Sequence, residues 1–111
     1  MTESVNKDML NELKLLMEED FHILIETYIT DSDERLKALQ VAISSQDCGE
    51  VRELAHSFKG SSANLGAQPL ADICFKLETM GRESSLAGAD DVYSRLKAEY
   101  QIVREFFNSQ R

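Results

Sequence analysis

One histidine in this chain stands among neighbours that suit covalent chemistry. The stretch Ala55-His56-Ser57-Phe58-Lys59-Gly60-Ser61-Ser62-Ala63-Asn64-Leu65-Gly66 reads as a helix whose apolar side is Val51, Leu54, Ala55, Phe58, Ser62 and Leu65. At about 100° per residue, His56 points about 150° away from that side, toward water or a partner. Lys59 and Arg52 flank it at turn spacing and form a local positive patch. Gly60 lies one turn after His56, and Ala63 nearly two turns after it. A glycine inside a helix costs roughly 1 kcal/mol relative to alanine. A solvent-facing position has no packing reason to accept that loss, whereas close approach by another molecule would supply one. An imidazole with a cation beside it and an open approach suits a phosphoryl group carried on a ring nitrogen.

The other reactive side chains form weaker patterns. Glu19/His22 and Glu53/His56 both have the Glu-x-x-His spacing of di-metal carboxylate bundles. Such ligands must project into a core, and His56 points away from it while His22 lies on the flank of its helix, so no metal site is expected. The two cysteines, Cys48 and Cys74, make neither a CxxC nor a disulfide framework. Cys74, between Ile73 and Phe75, reads as a small core residue. A hydrolase pairing either thiol with His56 lacks an activating environment for the sulfur. No GxxxxGK[ST] loop is present, and Gly60 and Gly66 follow no strand, so ATP-binding machinery is not expected. The competing reading is a helical adaptor without covalent chemistry, which would tolerate His56→Ala.

These residues need a scaffold. The chain has 111 residues, of which 42% are apolar, with one proline and five glycines. That length suits a single domain over residues 1–111, and the composition favours helix. A formal net charge of -8 argues against nucleic acid, which requires a basic stripe, and against attachment to anionic lipid. No N-terminal apolar stretch resembles a leader, and no run approaches membrane-spanning length. A monomeric, cytoplasmic protein is expected.

Five helices and no strands are predicted. The first covers about 6–17, with Met9, Leu10, Leu13, Leu16 and Met17 as its apolar positions. The second covers about 20–44, with Phe21, Leu24, Ile25, Tyr28, Ser32, Leu36, Leu39 and Ile43 inward. Asp47 should cap the third helix, with Glu50 completing a capping box, and Gly66 should stop it. Pro69 suits the first turn of the fourth, which turns Leu70, Ile73, Cys74, Leu77 and Met80 inward. A loop over 84–89 precedes the fifth, where Asp90 and Asp91 favour the helix dipole. Val92, Leu96, Tyr100, Val103 and Phe107 form its inner side. Four such helices joined by short loops predict an all-α, antiparallel up-down-up-down four-helix bundle, with the short first helix capping one end.

With this context the motif resembles the histidine-containing phosphotransfer (HPt) domain family of bacterial multistep phosphorelays, in its stand-alone form. The family pattern His-x-x-Lys-Gly, followed by small residues and a glycine, reads here as His56, Lys59, Gly60, Ser61, Ser62, Ala63 and Gly66. The segment Leu70-Ala71-Asp72-Ile73-Cys74-Phe75-Lys76-Leu77-Glu78 is similar to the family's following helix. The resemblance implies that His56 is phosphorylated, with Lys59 as its cation and Gly60 and Ala63 as docking clearance. It also implies that Glu78, where members carry Gln or Glu, accepts the Nδ1 proton and leaves Nε2 free. The implied donor is the receiver domain of a sensor or hybrid histidine kinase. The acceptor is the receiver domain of a response regulator, and Mg²⁺ belongs to those receivers, leaving this chain without a cofactor. Arg52, Leu13, Leu16 and Met17 are candidates for partner docking, although the three apolar residues could instead only cover the bundle end.

Overall fold

The helices begin and end where the sequence supplies caps. In a computed structural model that describes residues 3–110, α1 spans Lys7–Met17, α2 Phe21–Ser44, α3 Cys48–Asn64, α4 Gln68–Arg82 and α5 Ala89–Asn108. No strand occurs among the described residues. The Asn6 side chain caps α1 by accepting from the Met9 N–H at 3.1 Å. Glu18–Asp20 form a 3₁₀ turn, so α2 starts at Phe21 rather than within the acidic run. Asp47 caps α3 by accepting from the Glu50 N–H. The reciprocal arm of the expected capping box is not made, because the Asp47 N–H donates to the Ala42 carbonyl of α2 at 2.9 Å. The α2–α3 turn is too tight to leave that N–H free. Gly66 ends the α3 exit with φ +81°, and the Ala67 N–H reaches back to the Ser62 carbonyl at 2.9 Å. Pro69 sits in the first turn of α4.

Helices α2 to α5 form an antiparallel up-down-up-down bundle. Tyr28 and Ser62 join α2 to α3 through a buried hydroxyl pair at 2.7 Å. The Tyr93 hydroxyl donates to the Leu36 carbonyl at 2.9 Å, and Tyr100 lies opposite Ile29 and Asp33, so α5 runs antiparallel to α2. The core follows the predicted stripes. Ile25, Leu39, Val51, Phe58, Leu70, Leu77, Leu96, Tyr100 and Phe107 are buried, each side chain contributing roughly 1.5–3 kcal/mol. Edge-to-face ring pairs, Phe58–Tyr100 at 5.6 Å and Tyr28–Phe107 at 5.3 Å, fill its centre.

The first helix departs from its predicted pattern. Only Leu10 is buried in α1. Leu13 and Met17 are half-buried against the core, while Met9 is 36% and Leu16 81% exposed, as is Leu15 at 79%. A lone helix laid across the bundle end touches it along one narrow stripe, which leaves no cover for the rest. The preceding segment is pinned there by the Asn6 N–H, which donates to the Gly66 carbonyl at 2.8 Å.

Candidate functional site

The site starts from an unusually close pairing of α3 with α4. A Cβ on Gly81 would lie 2.7 Å from the Cys48 carbonyl oxygen and 2.8 Å from the Arg52 nitrogen. Only glycine lets the end of α4 lie so close to the first turns of α3. One turn earlier on α4, Glu78 is thereby brought opposite His56.

Glu78 is a buried carboxylate, its side chain only 4% exposed. Lys59 Nζ forms an ion pair with Oε1 at 2.6 Å, and among the described residues no other group pairs with that oxygen. Arg82 Nη2 donates to Oε2 at 2.7 Å. His56 Nδ1 lies 3.2 Å from the same Oε2. Burial alone pushes the Glu78 carboxyl up, but the bonds and charges of Lys59 and His56 outweigh it and hold the group below its ordinary value. An ionised carboxylate only accepts, so Nδ1 carries the proton and donates it to Oε2. Nε2 keeps its lone pair, on a ring that is 68% exposed. The hollow beside the ring is lined by Gly49, Arg52, Glu53, Ser57 and Arg82. Gly60 lies on the exposed side of α3, where an added Cβ would meet nothing within 4 Å.

Comparison with known proteins gives this geometry a family. Residues 23–106 match the Hpt domain. The chain belongs to the Hpt domain family. That is the histidine-containing phosphotransfer family of two-component signalling. The structure is similar to the crystal structure of histidine-containing phosphotransfer protein B (HptB) from Pseudomonas aeruginosa PAO1. The TM-score is 0.94 at 34% identity, over 99% of this chain and 96% of that one. Histidine-containing phosphotransfer protein 1 of Arabidopsis thaliana is 26% identical over 83 residues, 73% of this chain and 54% of that protein. The chain thus spans about half the length of that curated relative.

In this Hpt domain His56, Lys59 and Glu78 come together, and Arg52 lines the hollow beside them, with two differences from the expected arrangement. Lys59 is not a loose cation beside the imidazole, because its ammonium is engaged by Glu78 and lies 5.0 Å from the centroid of the Phe75 ring. Ala63 is half-buried, so the open part of the α3 face centres on His56 and Gly60. Leu13, Leu16 and Met17 belong to α1 and make none of the polar contacts of the site. Of these only Leu16 is openly exposed, and Leu15 beside it was not foreseen.

Sequence reasoning also missed Arg82 and Gly81. Arg82 follows Glu78 by four residues, a pairing the charge pattern offered once Glu78 was placed. The metal-like Glu-x-x-His pairs do not converge. His22 is exposed and its Nδ1 donates to the Glu19 backbone carbonyl, and no three ligand-type side chains cluster among the described residues. Burial pushes the Cys74 thiol up to about 12, away from thiolate chemistry at neutral pH. No described helix is long and apolar enough to cross a membrane.

Proposed function

We propose that this chain is a phosphorelay carrier. His56 takes a phosphoryl group from a receiver-domain aspartate of a sensor or hybrid histidine kinase and passes it to a receiver-domain aspartate of a response regulator. The observation that carries the reading is the His56 ring, exposed to solvent with its Nδ1–H bonded to an ionised, buried carboxylate.

The transfer follows from that arrangement. Nε2 attacks the phosphorus of the aspartyl phosphate. An N–P bond forms as the P–O bond to the aspartate breaks, and the electron pair leaves on the aspartate carboxylate. The ring becomes cationic with its proton still on Nδ1, where Glu78 stabilises it. Reversal onto a second aspartate completes the relay. Phosphoryl transfer depends mainly on positioning and charge compensation. Lys59, Arg82 and Arg52 supply positive charge on this side, while the receiver supplies Mg²⁺ and the reacting carboxylate. The chain acts as a carrier without kinase activity of its own, working as a cytoplasmic monomer.

The test is transfer from a phosphorylated receiver. Wild-type protein is expected to acquire an acid-labile, base-stable label. His56→Gln should retain the helical fold, since the ring packs against no core, and acquire none. His22→Ala should label normally. Label on a His56 variant would overturn the assignment, and the absence of label on the wild type with any receiver would favour the adaptor.

A further inference from the structure

Phe75 is a large aromatic side chain left 49% exposed on α4, outside the core and unexplained by packing. It sits three residues before Glu78, which in turn precedes Arg82 by four, so the three share one face of α4. That face meets His56 and Lys59 of α3. The Lys59 ammonium lies between two groups, Glu78 Oε1 at 2.6 Å and the Phe75 ring at 5.0 Å from its centroid. The ring face carries negative quadrupole density, which attracts the ammonium.

The placement matters because Lys59 ends a flexible four-carbon stem and has a second attractive destination, the incoming phosphoryl oxygens. Glu78 Oε1 is buried, and among the described residues the Lys59 ammonium is its one ion-pair partner. If the ammonium drifts, the carboxylate is left with a buried, unpaired oxygen and is free to turn. Of its three contacts the His56 bond, at 3.2 Å, is the longest and the first to be lost.

We propose that Phe75 is a positioning residue for phosphoryl transfer, its ring holding the Lys59 ammonium on Glu78 and thereby steadying the His56 tautomer. The inference rests on His56 being the phosphoryl acceptor, but its first test does not. In the unphosphorylated protein, Phe75→Leu keeps an apolar, helix-compatible side chain and removes the ring. The expected result is a shift and faster exchange of the Lys59 ammonium NMR signals together with a change in the His56 ring nitrogen shifts. Phe75→Tyr should restore both.

In transfer assays, Phe75→Leu should lower the rate at saturating phosphorylated receiver by about two- to five-fold, the size of an exposed cation–π contact, with KM unchanged. The effect should vanish in a Lys59→Met background. Three results would overturn the proposal: unmoved Lys59 signals, a loss confined to KM, or an equal loss in the Lys59→Met background. The last two would make Phe75 a contact for the receiver only. Failure of the wild type to accept label would count against the relay reading, leaving the NMR comparison to decide the placement of Lys59.

Discussion

Glu78 and Asp33 are both carboxylates that tie one helix to the next through an arginine, yet their surroundings differ. On the α2–α5 seam, Asp33 receives the Arg104 guanidinium as a fork, both bonds at 3.2 Å, and the Tyr100 hydroxyl at 2.7 Å. Its side chain is 36% exposed. One carboxylate meets one guanidinium in direct contact, with Lys37 adding its charge without a bond. On the α3–α4 seam, Glu78 is 4% exposed and meets two cations plus an imidazole that faces solvent. The surplus positive charge around Glu78 and the outward ring suit an anionic group arriving from outside. A half-solvated fork fastens helices, whereas a buried carboxylate with surplus donors orients a reactive group.

Removing each carboxylate should separate the two roles. Glu78→Ala is expected to slow phosphoryl acceptance on the order of ten- to a hundred-fold. That corresponds to a hydrogen bond to a charged group worth roughly 1.5–3 kcal/mol. The His56 ring nitrogen shifts should report mixed tautomers. Asp33→Ala should leave acceptance unchanged. Equal losses in the two variants would break the contrast.

The second expectation concerns what keeps Glu78 buried. Gly81→Ala places a Cβ against the backbone at Cys48 and Arg52, so α3 and α4 must part. A destabilisation of about 1–3 kcal/mol is expected, read by urea unfolding. Transfer should also slow, because separation lengthens the His56–Glu78 bond. A variant of normal stability and normal transfer would show that the close approach is incidental.

Smaller is the effect of Asp33 on stability. Burial alone pushes its carboxyl up, but Arg104 and Tyr100 hold it below the ordinary carboxylate range. A depressed native value means the contribution is complete above the unfolded value near about 4 and disappears as pH falls through the native one. Given its exposure, Asp33→Ala should cost about 1 kcal/mol at pH 7. Unfolding curves for variant and wild type should converge in acid. A difference that persists at the lowest pH would assign the loss to packing instead of charge.

The two seams also mark how much was legible in the residues. Apolar spacing located α2 to α5 and their inner faces, since Ile25, Phe58, Leu77 and Phe107 each repeat at helical period toward one core. The exposure of His56 was legible for the opposite reason, since its imidazole lies on the side where core residues are absent. Periodicity speaks only of faces, however. It placed Glu78 on a flank, and its burial depends on Gly81, which looks like any helix-ending glycine until α3 is seen against it. Lys59 read as a free cation because its partner lies on another helix. Arg82 and Phe75 gain meaning only from Glu78 and Lys59. On α1 the apolar residues outnumber the positions that one contact stripe can bury, so the pattern overstated its core.

The smallest effect on stability carries the sharpest test of why the outward face of the α3–α4 seam is bare. Gly60 and Gly81 face opposite circumstances on neighbouring helices. A Cβ at Gly81 collides with backbone, while one at Gly60 meets nothing within 4 Å. Gly60→Ala should therefore stabilise the isolated protein by up to about 1 kcal/mol, by restricting the unfolded chain and favouring helix. Gly60→Gln and Gly60→Arg should also be accommodated, since their side chains extend into solvent. On the proposed relay, a receiver brings its aspartate within bonding distance of His56, one turn away, and each added atom at Gly60 would obstruct that approach. Transfer should fall from Ala to Gln to Arg while the melting temperature stays at or above that of the wild type. Stability and function would then move in opposite directions at Gly60 and together at Gly81. If Gly60→Arg is both stable and fully competent, the open space beside His56 has no part in docking, and the glycine needs another explanation.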